Sequence, residues 1–220
     1  LSEIGFLWVP SGAVSVDLLR KEDPNNDLGL YTIPKNGREG RFLLEDRYVF
    51  PVRSFSGDVI ALIGWFPDQK KYITTPSKYF AKNTMYFGME QLGSSRSEKT
   101  ILVEGIFDSI LARMSGYPCL AAMGVTVGSV KRKLYPLMGK ILAIPDADRA
   151  GIKIYKEDTW KLPLSGRYFR WSGQLELEED VKISIKDIDL FARVFDISGL
   201  KYSIDAAFEA KSGRVQTMKL

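Results

Sequence analysis

The sequence contains no histidine and a single cysteine, Cys119. Those two absences exclude a disulfide framework, a Cys/His zinc site, a histidine general base and a Ser-His-Asp triad. Acid–base or metal chemistry must then fall to carboxylates, lysines, tyrosines or water. Cys119 sits inside the apolar run Pro118-Cys-Leu-Ala-Ala122 and reads as a core residue. Long apolar runs are also missing; none reaches the roughly 18 residues that a membrane-spanning helix needs. The opening Leu1-Ser-Glu-Ile-Gly-Phe6 lacks the basic region and apolar stretch of a secretory signal. The expectation is a soluble, cytoplasmic protein with no membrane partner.

What is present is ordinary in bulk and uneven in distribution. The 220 residues allow one large domain or two small ones, and a 45% hydrophobic share excludes wholesale disorder. The net charge is only +4, but its placement is informative. Between Arg47 and Tyr86, six basic residues (Arg47, Arg53, Lys70, Lys71, Lys78, Lys82) face two acids, Asp58 and Asp68. Trp65, Phe66, Tyr72, Tyr79 and other aromatics are interleaved with them. Cations neutralise phosphates and aromatics stack on unpaired bases, so the mixture suits single-stranded nucleic acid. A sheet with a solvated basic face fits the same composition.

The first 45 residues are rich in turn signals. Residues 47–53 and 58–66 then read as a hairpin around Ser54-Phe-Ser-Gly57. Gly93-Ser-Ser-Arg-Ser97 marks a domain boundary. Beyond it, strands at Thr100–Val103, Pro118–Ala122, Lys140–Ile144, Tyr168–Trp171 and Val181–Ile185 alternate with helices. Those helices are expected near 107–114, 128–137 (with a basic face of Lys131, Arg132 and Lys133), 149–160 and 187–195. The alternation predicts an α/β fold with a parallel sheet, whose functional sites gather at the carboxyl ends of the strands. The last 20 residues suggest only a weak helix near Ile204–Lys211.

Acidic residues stand at three of those strand ends. Glu104 closes Thr100-Ile-Leu-Val, Asp146 and Asp148 follow Ile141-Leu-Ala-Ile-Pro, and Asp187 and Asp189 follow Val181–Ile185. Carboxylates gathered that closely repel unless a cation lies between them, and hard divalent ions take oxygen ligands. Each also has a plain reading: Glu104 as a solvated loop residue, Asp148 and Asp187 as helix caps. Gly151 permits close backbone approach where the next helix starts.

The run Val103-Glu-Gly-Ile-Phe-Asp108, Met123-Gly-Val-Thr126 and Pro145-Asp-Ala-Asp-Arg-Ala-Gly151 resembles the Toprim domain, in its primase form. Arg47-Tyr-Val-Phe-Pro-Val52, Gly57-Asp-Val-Ile60 and Lys71-Tyr-Ile-Thr-Thr-Pro76, then Phe80, Lys82 and Gly88, follow the order of the basic subdomain of DnaG-type primases. The resemblance spans roughly residues 41–190. It implies a basic α+β subdomain over 1–92, a Rossmann-like Toprim domain over 98–197 and a short extension over 198–220. It also implies that Glu104, Asp146 and Asp148 are the catalytic, metal-binding cluster, with Asp187 or Asp189 closing it around two or more Mg2+ or Mn2+ ions. Lys71 and Tyr72 match the pair that holds the template, and Arg47 and Lys82 the surface around it. Gly105, Asp108 and Gly124 match positions that shape the site. Lys78 and Arg149 are weaker candidates for contacting the triphosphate.

The sequence departs from that family in several places. Gly64-Trp-Phe-Pro67 lacks the arginine usual there, Thr74 replaces an asparagine, and Asp-Ala-Asp replaces Asp-Gly-Asp. Template grip is therefore expected to be weaker or rebuilt around Trp65. No zinc module can be made from these residues, so the resemblance implies either a catalytic core alone or a compact phage- or plasmid-like primase that receives that module in trans. The implied activity is synthesis of short RNA primers on single-stranded DNA from nucleoside triphosphates, with a replicative helicase as partner. A Toprim nuclease and a non-catalytic single-strand-binding module are the alternatives.

Overall fold

A computed structural model describes residues 6–27, 29–32, 40–69, 71–93, 97–172, 174–177, 181–184, 187–210 and 215–219. The chain forms two units, Leu1–Lys82 and Asn83–Leu220.

The first unit is built on a four-stranded antiparallel sheet in the order β1 (Leu7–Val9), β2 (Arg47–Arg53), β3 (Val59–Phe66), β4 (Lys71–Thr74). The expected hairpin is β2–β3, closed by a turn in which the Gly57 N–H donates to the Ser54 carbonyl at 3.0 Å. Gly57 adopts φ +91°, a conformation that glycine enters without steric cost. One sheet face buries Val9 and Val49 with Phe42 and Leu44, and Leu19, Leu62 and Ile73 pack against them. Leu19 comes from helix α1 (Val16–Glu22), which Ser15 caps by accepting the Leu18 N–H. Period-2 alternation puts the neighbouring side chains of these strands on the opposite face.

The second unit holds a five-stranded parallel sheet in the order β11 (Val215–Lys219), β8 (Arg167–Ser172), β7 (Lys140–Ile144), β5 (Lys99–Val103), β6 (Cys119–Ala121). Ile101, Leu102, Val103, Leu120, Leu142 and Ala143 are fully buried, as strands covered on both faces require. The helices of this unit are α2 (Ile106–Arg113), α3 (Ser129–Arg132), α4 (Arg149–Glu157) and α5 (Ile188–Glu209). The free edge of β6 is occupied by residues just before the sheet. Phe87 and Ala121 exchange backbone hydrogen bonds at 3.1 and 3.0 Å, and the Gln91 amide bonds both the N–H and the carbonyl of Cys119. Residues 83–92 therefore belong with the parallel sheet, and the chain divides at Lys82 rather than near Gly93.

Several expectations change. The helix expected over 128–137 is two short pieces, α3 and a 3-10 turn over Tyr135–Leu137, because Pro136 has no N–H to continue the ladder. Its supposed basic face is not wholly exposed, since Lys131 is buried. The strand expected at 181–185 is β10 (Val181–Ser184), which pairs antiparallel with β9 (Gln174–Leu177) in a separate two-stranded sheet. The residues expected to be a short extension supply the second half of α5 and the edge strand β11. α5 is kinked at Asp196 (φ 65°), whose Oδ1 accepts the Gly199 N–H at 2.9 Å and restarts the helix.

Candidate active site

Read in chain order within its own sheet, the parallel strands run 2-1-3-4-5, so the order reverses between β5 and β7. A crevice opens at the carboxyl ends of strands at such a reversal, because the crossovers leave to opposite faces. Glu104 follows β5 and Asp146 follows β7. These two strands are direct neighbours, with Val103 paired to Ile144. Glu104 Oε1 accepts the backbone N–H of Asp146 at 3.1 Å, which ties the two strand ends together.

The loops around this pair are tightly specified. The Glu104 carbonyl accepts the Met123 N–H at 3.0 Å, while Met123 (φ 57°) and Gly124 (φ 153°) turn the chain away from β6. The Lys131 ammonium donates to the Ala122 carbonyl and lies 5.2 Å from the Tyr86 ring centroid. Gly105 caps α2 with extended backbone, and the Asp108 carboxylate occupies the space a Cβ there would need. Asp148 caps α4, its Oδ1 accepting the Gly151 N–H at 2.8 Å. A Cβ at Gly151 would collide with the Asp146 backbone. The cap expectation for Asp148 and the close-approach expectation for Gly151 therefore both hold.

Electrostatics couple the acids. Burial, reinforced by Asp148 and Asp108, outweighs the Asp146 N–H bond and pushes the Glu104 carboxyl up to about 7. Burial, followed by Asp108, Glu104, Asp187 and Asp148, pushes Asp146 up to about 8. Asp187 thus acts on this cluster even though β10 lies outside the parallel sheet. The Asp189 side chain lies outside the described residues. Without a counter-ion Glu104 and Asp146 hold protons more tightly than ordinary carboxyls, because burial and like charges disfavour their ionised forms. Among the described residues, no three His, Cys, Asp or Glu side chains converge on one point closely enough to hold an ion as they stand.

The nucleic-acid candidates separate by face. Tyr72 pairs with Trp65, and both share the face opposite the Val9–Val49 core. Arg47 points the other way: its Nη1 donates to the Glu45 carbonyl at 2.7 Å and its guanidinium lies 5.3 Å from the Phe66 ring centroid. It does not share a surface with Tyr72, because adjacent positions on a strand face apart. Lys71, Lys78 and Lys82 are exposed, and Lys78 lies over the Tyr79 ring at 5.0 Å. Lys70 lies outside the described residues. Arg149 is exposed on the first turn of α4. Sequence reasoning missed Lys131, whose neighbours in a basic run disguised a buried position. It also missed Trp8, because a three-residue strand gives little periodic signal.

No family model matches the chain. The DNA primase of Synechocystis sp. is 30% identical over 159 residues, covering 66% of this chain and 24% of that protein. The Aquifex aeolicus primase (zinc-binding and RNA polymerase domains) superposes with a TM-score of 0.70 at 24% identity, covering 93% of this chain and 51% of that one. The chain is homologous to DnaG-type primases. A DnaG primase catalytic domain solved with single-stranded DNA gives the same TM-score at 19% identity, covering 93% of this chain and 66% of the other. The fold is that of the primase catalytic core, with an antiparallel unit preceding the parallel one. The chain spans about a quarter of the Synechocystis primase and about half of the solved Aquifex chain. Among the described residues, no helix is long and apolar enough to cross a membrane.

Proposed function

We propose that this chain is the catalytic core of a primase, joining nucleoside triphosphates into short RNA primers on single-stranded DNA. The observation that carries the reading is the coupling of Glu104 and Asp146 at the strand-order reversal, with Asp108, Asp148 and Asp187 close enough to raise their proton affinity. In the reaction a 3′-hydroxyl attacks the α-phosphorus of the incoming triphosphate, a P–O bond forms, and pyrophosphate leaves.

Glu104, Asp146 and Asp148, with Asp187 beside them, are the residues that would hold divalent cations. Their all-oxygen chemistry, with the raised proton affinity of Glu104 and Asp146, suits Mg2+ or Mn2+. Such ions, when bound, lower the pKa of the attacking hydroxyl and neutralise the leaving pyrophosphate. The protein's own part is positional. The Asp146 N–H fixes the Glu104 carboxylate, the Gly151 N–H fixes Asp148, and Lys131 holds the turn that follows β6. Lys71 and Tyr72 are the template contacts this reading assigns.

Incubation with single-stranded DNA, labelled nucleoside triphosphates and Mg2+ or Mn2+ tests the reading. Short RNA products are expected. Cut DNA would show a nuclease instead, and binding without either product would show a non-catalytic module.

A further inference from the structure

One register line crosses the whole antiparallel sheet through four aromatic residues. Trp8 pairs with Tyr48, Tyr48 with Trp65, and Trp65 with Tyr72, one residue from each of β1, β2, β3 and β4. Directly paired residues share a sheet face. The ring centroids of Trp8 and Tyr48 are 4.9 Å apart and those of Tyr48 and Trp65 are 6.1 Å apart, both pairs tilted rather than stacked flat. Trp8 and Tyr72, at the two ends of the row, are 41% and 45% exposed. Phe6 packs on Tyr48 and on Phe50, which with its partner Ile63 is buried on the same face, so the row lies beside the covered part of that face.

We infer that Trp8, Tyr48, Trp65 and Tyr72 form a stacking platform for unpaired bases, running across the strands. The inference rests on the template-binding reading above and extends it to Trp8 and Tyr48, which no motif assigns. Strands lie about 4.8 Å apart, so the row spans roughly 14 Å, enough for about three or four bases of an extended strand. Aromatic faces accept any base, which fits a surface that must pass varied sequence. The composition around the row favours a polyanion over an apolar protein partner: six basic residues against two acidic ones between Arg47 and Tyr86, with Lys71, Lys78 and Lys82 exposed. Lys71 precedes Tyr72 on β4 and, paired with Phe66, leaves from the opposite face, so it reaches a phosphate only around the open edge of that strand, where it is exposed.

The test is fluorescence anisotropy of labelled dT12 and rU12 across a salt series, with the parent chain, Trp8→Ala, Trp8→Phe and Lys71→Ala. Thermal unfolding of each variant confirms folding. Trp8→Ala is expected to weaken binding about tenfold with an unchanged salt slope, equally on both oligomers, because stacking reads the base face and not the sugar. Trp8→Phe should recover most of that loss. Lys71→Ala should lower the salt slope instead. Unchanged binding by Trp8→Ala, a loss that Trp8→Phe does not recover, or a loss confined to one sugar overturns the platform. Failure of the parent chain to bind either oligomer overturns the template reading itself.

Discussion

Glu104 Oε1 accepts the Asp146 N–H at 3.1 Å and thereby joins two strand ends whose side chains repel each other. The bond holds the acids together in the free protein. Most of what can be measured on this site follows from that tension.

Stability of the cation-free protein should depend on pH. The folded carboxyls of Glu104 and Asp146 lie near 7 and 8, above the ordinary carboxylate range of the unfolded chain. The folded state therefore binds these protons more tightly. The stability they contribute is complete below about pH 4 and is lost as pH rises through about 8. Solvent screening of these partly exposed groups limits the effect to about 1 kcal/mol, or roughly 2–4 °C in melting temperature. Unfolding scans from pH 5 to 8 in EDTA should show the fall. Asp146→Asn should flatten it.

Gly151→Ala should destabilise the protein, although alanine is normally the better helix former by about 1 kcal/mol. The added methyl would collide with the Asp146 backbone, so α4 or the Asp146 loop must shift. A loss of about 1–3 kcal/mol is expected in urea unfolding, with reduced primer synthesis.

Lys131→Met should cost about 1–3 kcal/mol, because the Ala122 carbonyl loses a buried donor. That carbonyl starts the turn through Met123, whose N–H is bonded to the Glu104 carbonyl. Catalytic rate should fall while affinity for single-stranded DNA stays close to that of the parent, as anisotropy and primer yield measured side by side would show.

Lys71→Ala should weaken DNA binding uniformly across sequences and reduce the slope of log affinity against log salt by about 1. Mg2+-dependent changes in melting temperature should be unaffected, since Lys71 lies in the other unit from the acids.

Much of this arrangement was legible in the chain. Apolar runs that end abruptly at Glu104 and Asp146 read as strands delivering carboxylates to a sheet edge, and both strands are found there. The cap at Asp148 and the close approach at Gly151 were legible because they are local. Long-range pairing was not. The run at 181–184 has strand chemistry, but nothing in a single strand says which sheet it joins, and it pairs with β9. Val215–Lys219 is too short to stand out from a charged tail, yet it extends the parallel sheet beside β8. Alternation was not legible in composition either: Arg47, one residue from Tyr48, faces away from the Tyr72 side and shares its face with Phe66 and Lys71. Lys131 was hidden for a related reason, as Arg132 and Lys133 made its position look solvated. Trp8 became visible only once the register of β1 against β2 put it beside Tyr48.

The most direct test of the site is primer synthesis by Asp146→Asn, measured beside its binding of single-stranded DNA. The substitution keeps the shape and the backbone N–H that Glu104 accepts, and removes only the charge. Loss of labelled RNA product by a factor of 100 or more, on the order of what removing a key electrostatic group costs, with DNA affinity within about twofold of the parent, is the expected result. Primer synthesis at the parental rate would contradict the assignment of this acidic cluster as the catalytic centre.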